Sequence, residues 1–229
     1  MLACAAMGEL ESAEMPSMQL RIGRLLFALS VVASGIYQLV TGRFVNLVPV
    51  NPAHLPAPWL VYLFGLRVAL AHASMGYVWV DPLMILAILG GVGLAAARGD
   101  GSSLDRVFEM AARFAPWALG AFLAYCGVLH FPYAKYVASL IPPWIPAHMF
   151  WTYFAAIALI AGGIGVLVPR TARLAATLSG VMLFSWVFLV HIPLAINTHT
   201  VSEVSRGFQA LQDSAVAFML AGTLRSRKL

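Results

Sequence analysis

Long apolar stretches, separated by short polar and charged segments, form the dominant pattern along this chain. The longest gap in charge runs from residue 136 to residue 169, where 34 consecutive positions contain no Asp, Glu, Lys or Arg. Because the hydrocarbon core of a bilayer is about 30 Å thick, about 20 apolar helical residues are needed to cross it. The pattern therefore predicts an all-α fold, a polytopic bundle of transmembrane helices.

Six segments are predicted to span the membrane, and a seventh segment is ambiguous. Residues 59–80 are apolar, but Arg67 and His72 interrupt them, and a central arginine costs about 2.5–3.5 kcal/mol on insertion scales. This segment either spans or lies as a re-entrant or interfacial helix. The distribution of Arg and Lys favours six spans, with both termini in the cytoplasm and the loops 132–147 and 193–206 outside. The six predicted spans are 22–40, 82–97, 114–131, 148–168, 172–192 and 207–224.

Composition supports a membrane protein and argues against several other classes. Hydrophobic residues make up 61% of the chain and charged residues 10%, whereas a typical soluble domain has about 25% charged residues. The formal net charge of +5 does not indicate a nucleic-acid partner, because the basic residues lie at predicted helix ends, where anionic lipid head groups explain them. The two cysteines form neither a disulfide framework nor a metal-binding pattern.

The chain is predicted to divide into a tail and two related helical units. Residues 1–20 are predicted to be a disordered N-terminal tail, 21–113 a degenerate helical repeat, and 114–229 a four-helix transmembrane unit. The repeat is degenerate because Gln38 stands at the position that His130 occupies in the second copy. Internal repeats of this kind are common in membrane bundles and transporters.

Small residues recur at the spacing that brings helices together in lipid. Gly120 with Ala124 forms one such pair, and Ala161 with Gly165 forms another. Small side chains let two helix backbones approach closely, which is the main route to helix association in a bilayer. Both pairs are therefore predicted to have a structural role.

Asp213 is the only acidic residue that lies well inside a predicted span. It lies about two turns into the last helix, and Gln209 is four residues earlier on the same helical face. An acid inside a membrane is expensive and usually has a partner or a function. Two interpretations stay open: Asp213 belongs to a functional site, or the helix starts later and Asp213 caps it near the outer interface.

His130 and His191 close two predicted spans. With Arg170 and Arg173 marking the inner side, both histidines fall near the outer surface at similar depth. Two facing histidines could ligate haem or a metal ion, or bind a quinone carbonyl. The alternative is that they are interfacial residues bonded to the backbone or to lipid head groups. No HxxxH or HExxH spacing is present, so no metal site is predicted.

A proline-rich loop, residues 140–148, precedes the fourth clear span and contains Trp144. Tryptophan is enriched at membrane interfaces, where its ring is amphipathic. The loop is predicted either to anchor the chain at the interface or to cover a pocket in the outer leaflet.

The second half contains, in order, the motifs GVLHF at 127–131, LIPPWIP at 140–146, FW at 150–151, HIP at 191–193 and the later Asp213. This series resembles the DoxX/DoxD-like family of small bacterial integral membrane proteins. The resemblance is strongest over residues 114–225, and residues 21–97 resemble the same unit as a weaker partial copy. It implies a four-helix unit in the bacterial inner membrane. Some family members are linked to quinone-coupled sulfur oxidation, as the membrane subunit of a thiosulfate:quinone oxidoreductase, so the resemblance implies a role of this kind.

These features together predict a membrane subunit of a redox complex that binds a quinone or another small apolar ligand. The residues predicted to line or adjoin the pocket are His130, His191, Asp213, Gln209 and Trp144. Quinone is favoured over haem as the cofactor, and the predicted partners are the lipid bilayer, an oxidoreductase subunit or a second copy of the chain. A small-solute transporter and a non-catalytic assembly subunit are the alternatives, and whether the chain is an enzyme on its own stays open.

Overall fold

A computed structural model describes residues 17–41 and 79–224 of the 229-residue chain. These residues are almost entirely helical and include no β-strand, which confirms the predicted all-α fold. The uncertain segment 59–80 lies almost wholly outside the described residues, as does the tail up to residue 16. The helices are α1 (Met18–Thr41), α2 (Val80–Ala96), α3 (Ser103–Leu129), α4 (Ala134–Leu140), α5 (His148–Leu167), α6 (Ala172–Trp186), α7 (Ile192–Thr198) and α8 (Val201–Thr223).

Four helical stretches in the described part of the chain are long and apolar enough to cross a membrane. They are α1, α3, α5 and the continuous stretch Ala172–Thr198, which joins α6 to α7. Helix α2 is also apolar but has only 17 residues. Helix α8 has 23 residues and is more polar. The lengths and composition of these helices indicate a helical membrane protein, while the total of six or seven spans stays a prediction.

Contacts at the start of α1 show that neighbouring helices run antiparallel. The Arg24 guanidinium donates a hydrogen bond to the Leu94 carbonyl at 3.2 Å, and the Ser17 hydroxyl donates to the Gly222 carbonyl at 2.8 Å. The start of α1 therefore meets the ends of α2 and α8. The Gln19 amide also donates to the Thr177 hydroxyl at 3.0 Å, near the start of α6.

The antiparallel order gives the bundle two different ends. The first, which we call the arginine end, holds Arg24, the α2–α3 turn with Arg98, and the α5–α6 turn with Arg170 and Arg173. The second, which we call the histidine end, holds the end of α3 with His130, the start of α5 with His148, and His191. Both histidines singled out from the sequence are thus at the same end of the bundle.

Helix α8 is the central helix of the described bundle. It packs against α1, α2 and α6, and 11 of its 23 residues are buried, including three consecutive alanine or valine positions from Ala215 to Ala217. A helix surrounded by other helices does not face lipid and need not be uniformly apolar. The position of α8 therefore explains why polar residues are tolerated along it.

The predicted small-residue contacts are confirmed for one pair and for one member of the other, Gly165, where an added Cβ would lie 2.8 Å from the Ala175 Cβ on α6. A Cβ added at Gly120 would lie 2.9 Å from the Gly163 carbonyl oxygen, and one at Gly163 would lie 2.9 Å from the Ala124 Cβ. Helices α3 and α5 therefore touch through Gly120 and Ala124, as predicted. Ala161 is exposed, and it is Gly163 that meets α3, because it lies on the opposite face of α5.

Helix α3 begins at Ser103, whereas the sequence predicted a span from residue 114. Its first turns are polar, so hydropathy does not detect them. Ser102 caps the helix by accepting a hydrogen bond from the Asp105 backbone N–H at 3.1 Å, and the Asp105 carboxylate accepts one from the Arg98 N–H at 2.7 Å. The predicted boundary between residues 113 and 114 therefore falls inside a continuous helix.

The turn between α2 and α3 is held by a second aspartate. The Asp100 carboxylate accepts a hydrogen bond from the Ser102 backbone N–H at 2.9 Å. This backbone bond, followed by the bond from the Ser102 side chain, holds the pKa of Asp100 below its ordinary value. Gly99 and Gly101 on either side have positive φ angles of 74° and 73°, which glycine adopts without strain.

The sequence predicts that a span ends just before Pro193 and that residues 193–206 form a loop. This prediction is wrong. A π-helical turn, Val187–His191, continues α6 directly into α7, and Pro193 lies in the first turn of α7. Proline in a helix lacks an N–H and clashes with the carbonyl four residues earlier. A π turn widens the helix at that point, so the helix continues to Thr198 without a break.

Two other predicted boundaries also move. Helix α8 begins at Val201 and not at Gly207, because its first turn is polar. Helix α1 begins at Met18, so the last three residues of the predicted tail 1–20 are helical.

Candidate functional site

A cavity of about 440 Å³ opens at the histidine end, between the start of α2, the end of α3 and the short helix α4. Its lining is mostly apolar, with the imidazole of His130 among the few polar groups. A concave, mainly apolar space of this size with a few polar groups is typical of small-molecule sites. The lining residues in the described part of the chain are Val80, Cys126, Leu129, His130, Tyr133, Tyr136 and Val137.

The ring of His130 is oriented by the last turn of α3. Its Nδ1 lies 2.7 Å from the carbonyl oxygen of Cys126, which also accepts the His130 backbone N–H at 3.2 Å. A carbonyl can only accept hydrogen bonds, so Nδ1 is the protonated nitrogen in this contact. The ring nitrogen left for a ligand is Nε2.

Cys126 connects the cavity to the interior of the bundle. It lies one turn before His130 on the same face of α3, is half-buried, and has a free thiol. The carboxylate of Asp213 lies within electrostatic range of this thiol. Asp213 lies on the central helix and is not among the described residues of the lining.

Asp213 is deeply buried. Only 5% of its surface is exposed, and its Oδ1 atom has no hydrogen-bond partner within the described part of the chain. It is the thirteenth residue of α8, about 18 Å along the helix axis from Val201 at 1.5 Å per residue. The interpretation that Asp213 caps the helix at an interface is therefore wrong, because the helix starts earlier and not later.

His191 lies at the same end as His130 but in different surroundings. It is the last residue of the π turn and packs near Gly207, where an added Cβ would lie 3.5 Å from the His191 Cβ. It is also within electrostatic range of Arg206. Its Nδ1 atom is buried and has no partner among the residues that the structure describes. The lining of the cavity includes His130 and not His191.

The two remaining predicted residues also lie outside the cavity lining. Gln209 is half-buried on α8, one turn before Asp213. Trp144 lies in the loop before α5 and is 64% exposed, which suits a side chain at a membrane interface. The structure thus places Asp213 near the His130 cavity through Cys126 and separates His191, Gln209 and Trp144 from its lining.

Sequence reasoning missed an ion pair at the start of α8. The Arg206 guanidinium donates to the Glu203 carboxylate, and Glu203 is 9% exposed. The sequence predicts a loop over residues 193–206, which hides the pair, although a spacing of three residues suits a helical ion pair. Tyr133, Tyr136 and Val137 were also missed as lining residues, although they continue the helical spacing of Cys126 and His130.

No group of three or more His, Cys, Asp or Glu residues in the described ranges is arranged to hold a metal ion. The polar groups on the described lining, such as the imidazole of His130 and the hydroxyl of Tyr136, are suited to hydrogen bonding with a ligand that fills the apolar cavity.

A family model described as a domain of unknown function, DUF8561, matches residues 119–218. This range contains His130, His191 and Asp213 and runs from the last turns of α3 into α8. Neither the curated proteins nor the solved structures include a match to the chain. The resemblance to the DoxX/DoxD-like family therefore stays a prediction.

Proposed function

We propose that this protein is a multi-pass inner-membrane protein of DoxX-like type that binds a quinone-type ligand at the His130 cavity, as the membrane subunit of a redox complex. The observation that supports this most directly is the cavity itself. It combines a volume of about 440 Å³ and a mostly apolar described lining with the imidazole of His130, whose orientation is set by a backbone hydrogen bond.

A quinone-type ligand suits this arrangement for two reasons. A substituted aromatic ring with an alkyl tail can occupy an apolar cavity that opens to the surface at one end of the bundle. The oxygen atoms of the ring need a hydrogen-bonding group, since a polar group buried without a partner costs about 1–3 kcal/mol in proteins. His130 supplies such a group on the cavity lining.

Six spans with the arginine end in the cytoplasm complete the proposal. The start of α1 meets the end of α2 through the Arg24–Leu94 hydrogen bond, so these helices are antiparallel. A single extra span between them would make them parallel, which supports six spans over seven. Arg98, Arg170 and Arg173 gather at the end that the positive-inside rule assigns to the cytoplasm. The His130 cavity would then lie at the outer side.

Ligand binding can be tested with two histidine variants at the same end of the bundle. The protein would be purified in native lipids, and the total bound ligand, quinone plus quinol, would be extracted and quantified for wild type, His130→Leu and His191→Leu. We expect His130→Leu to weaken binding about 2- to 10-fold, the effect of losing one neutral hydrogen bond. His191→Leu should bind as wild type does, because His191 lies outside the cavity lining.

A third variant separates occupancy of the cavity from hydrogen bonding. Val137→Trp places a large ring on the lining and should abolish binding regardless of His130. Correct folding would be checked by monodisperse elution in detergent. If well-folded Val137→Trp retains quinone like the wild type, the ligand is bound elsewhere and the cavity is not the site.

A small-solute transporter is the second candidate, and the burial of Asp213 favours it. An acid with an unpartnered buried oxygen in a central helix is typical of ion or proton pathways. The transporter reading predicts uptake or efflux in proteoliposomes that disappears in Asp213→Asn. Solute flux that is unchanged in this variant would remove the observation on which the candidate rests.

A further inference from the structure

The hydrogen-bonding role of His130 is fixed by its contact with α3. Nδ1 lies 2.7 Å from the Cys126 carbonyl oxygen, and this short contact requires a proton on Nδ1. The carbonyl belongs to the last turn of the helix, at the negative end of the helix dipole, which attracts a donor. Turning the ring over would replace this donor by a carbon atom and lose the bond.

With Nδ1 protonated, a neutral imidazole presents only a lone pair at Nε2. Histidine has an ordinary pKa of about 6.5, so the neutral form predominates at pH 8. The cavity lining, as far as the structure describes it, contains no carboxylate that would hold the ring protonated. A neutral Nε2 accepts hydrogen bonds and cannot donate one.

We propose that the His130 cavity selects the reduced, hydroxyl-bearing form of a quinone-type ligand, which donates a hydrogen bond to Nε2. This inference rests on the proposed function and adds the redox form of the ligand to it. A quinol ring has hydroxyl groups that donate, whereas the quinone ring has carbonyl oxygens that only accept. This proposed bond differs from the predicted one, in which His130 binds a quinone carbonyl.

The other polar side chains of the lining do not produce the same selection. A tyrosine hydroxyl such as that of Tyr136 both donates and accepts, so it can bind either redox form. The cysteine thiol of Cys126 is a weak donor and a weak acceptor. Among the described lining residues, the difference between quinol and quinone therefore depends on His130.

The test compares three ligands that share one ring and one tail. Binding of decylubiquinol, decylubiquinone and the dimethyl ether of decylubiquinol would be measured at pH 8 without oxygen, on the whole protein in lipid nanodiscs. The ether keeps the ring and the tail of the quinol, carries a methyl group on each of the two oxygens, and has no hydroxyl to donate. We expect the quinol to bind about 2- to 10-fold more tightly than the other two ligands, the effect of one neutral hydrogen bond.

Two variants assign the preference to His130. In His130→Leu the quinol should lose its advantage, while the affinities of the quinone and the ether stay close to those of the wild type. His191→Leu should keep the wild-type preference. Nitrogen-15 spectra of the imidazole provide a separate readout, since they distinguish a ring protonated at Nδ1 from one protonated at Nε2.

The outcomes separate this inference from the proposed function. Equal binding of all three ligands, or tighter binding of the quinone, would overturn the selection of the quinol and leave ligand binding in place. A spectrum with the proton on Nε2 would overturn it as well. Absence of binding by all three ligands would overturn both the inference and the proposed function.

Discussion

Helices α1 and α8 pack against each other, yet their surroundings are opposite. Helix α1 buries only Gly23, Phe27 and Ser30 of its 24 residues, and apolar side chains such as Leu25 are 61% exposed. Helix α8 buries 11 of 23 residues, among them Asp213 and Ser214. The more apolar of the two helices is therefore the exposed one, and the more polar helix is the buried one.

The difference follows from the solvent that surrounds the helices. In water, apolar faces turn inward, whereas in lipid an exposed leucine costs nothing because the acyl chains are as apolar as its side chain. Helix association then depends on close packing and internal hydrogen bonds. Comparing α1 with α8 therefore shows that burial in this protein follows packing partners and not hydropathy.

The largest expected difference in stability between variants of the two helices comes from replacing one leucine on each helix by alanine. Leu220 on α8 is 2% exposed and Leu25 on α1 is 61% exposed. Leu220→Ala should lower the free energy of unfolding by about 2–4 kcal/mol, since it leaves a cavity in a packed interior. Leu25→Ala should change it by less than about 0.5 kcal/mol, as surface substitutions do. Reversible unfolding in mixed micelles measures both, and equal losses would contradict the comparison.

Two glycines on α1 test whether α1 and α8 are in close contact. A Cβ added at Gly23 would lie 2.7 Å from the backbone nitrogen of Met219 and 2.9 Å from the Ala215 carbonyl oxygen, whereas one at Gly35 meets no atom within 4 Å. Gly23→Ala should destabilise by about 1–3 kcal/mol through overpacking. Gly35→Ala should stabilise by up to about 1 kcal/mol, because alanine favours the helix.

The two glycine variants would be compared by thermal unfolding in the same detergent. A Gly23→Ala protein as stable as the wild type would mean that α1 and α8 are further apart than described. Crosslinking of cysteines introduced in pairs along the two helices would then locate the true contact.

The smallest change in stability is expected when either of two neighbouring polar residues on α8 is substituted. The Ser214 hydroxyl donates to the Gly180 carbonyl at 2.9 Å, so Ser214→Ala should cost about 1 kcal/mol. The Oδ1 atom of Asp213 has no such partner in the described ranges, so Asp213→Asn should leave stability unchanged or raise it slightly. Destabilisation by Asp213→Asn similar to that of Ser214→Ala would show that the carboxylate has a structural partner.

The sequence predicted the apolar parts of the helices well and their polar ends poorly. The segment predicted as 148–168 is His148–Leu167 in the structure, because both of its ends coincide with a change in polarity. Helices α3 and α8 start 11 and 6 residues before their predicted spans, at Ser103 and Val201. Hydropathy locates the portion of a helix that suits lipid and gives no information on polar turns that extend beyond it.

The candidate site was predictable only as far as one helix determines it. The shared face of Cys126 and His130 follows from their spacing of four residues, and the structure places both on the cavity lining. Whether His191 joins them depends on how α3 and α6 are rotated about their axes, and on a π turn at Val187–His191. Neither feature is encoded in the local pattern, so the predicted meeting of two histidines in one pocket was not obtained.

The central place of α8 has a consequence for how the protein is made. Ribosomes synthesise α8 after every helix against which it packs. Helix α1 is therefore in the bilayer without its principal described partner while the later helices are inserted. Because α8 is also the more polar of the two, its own entry into the membrane depends on helices that are already there. Assembly of the core is therefore a late event in biogenesis.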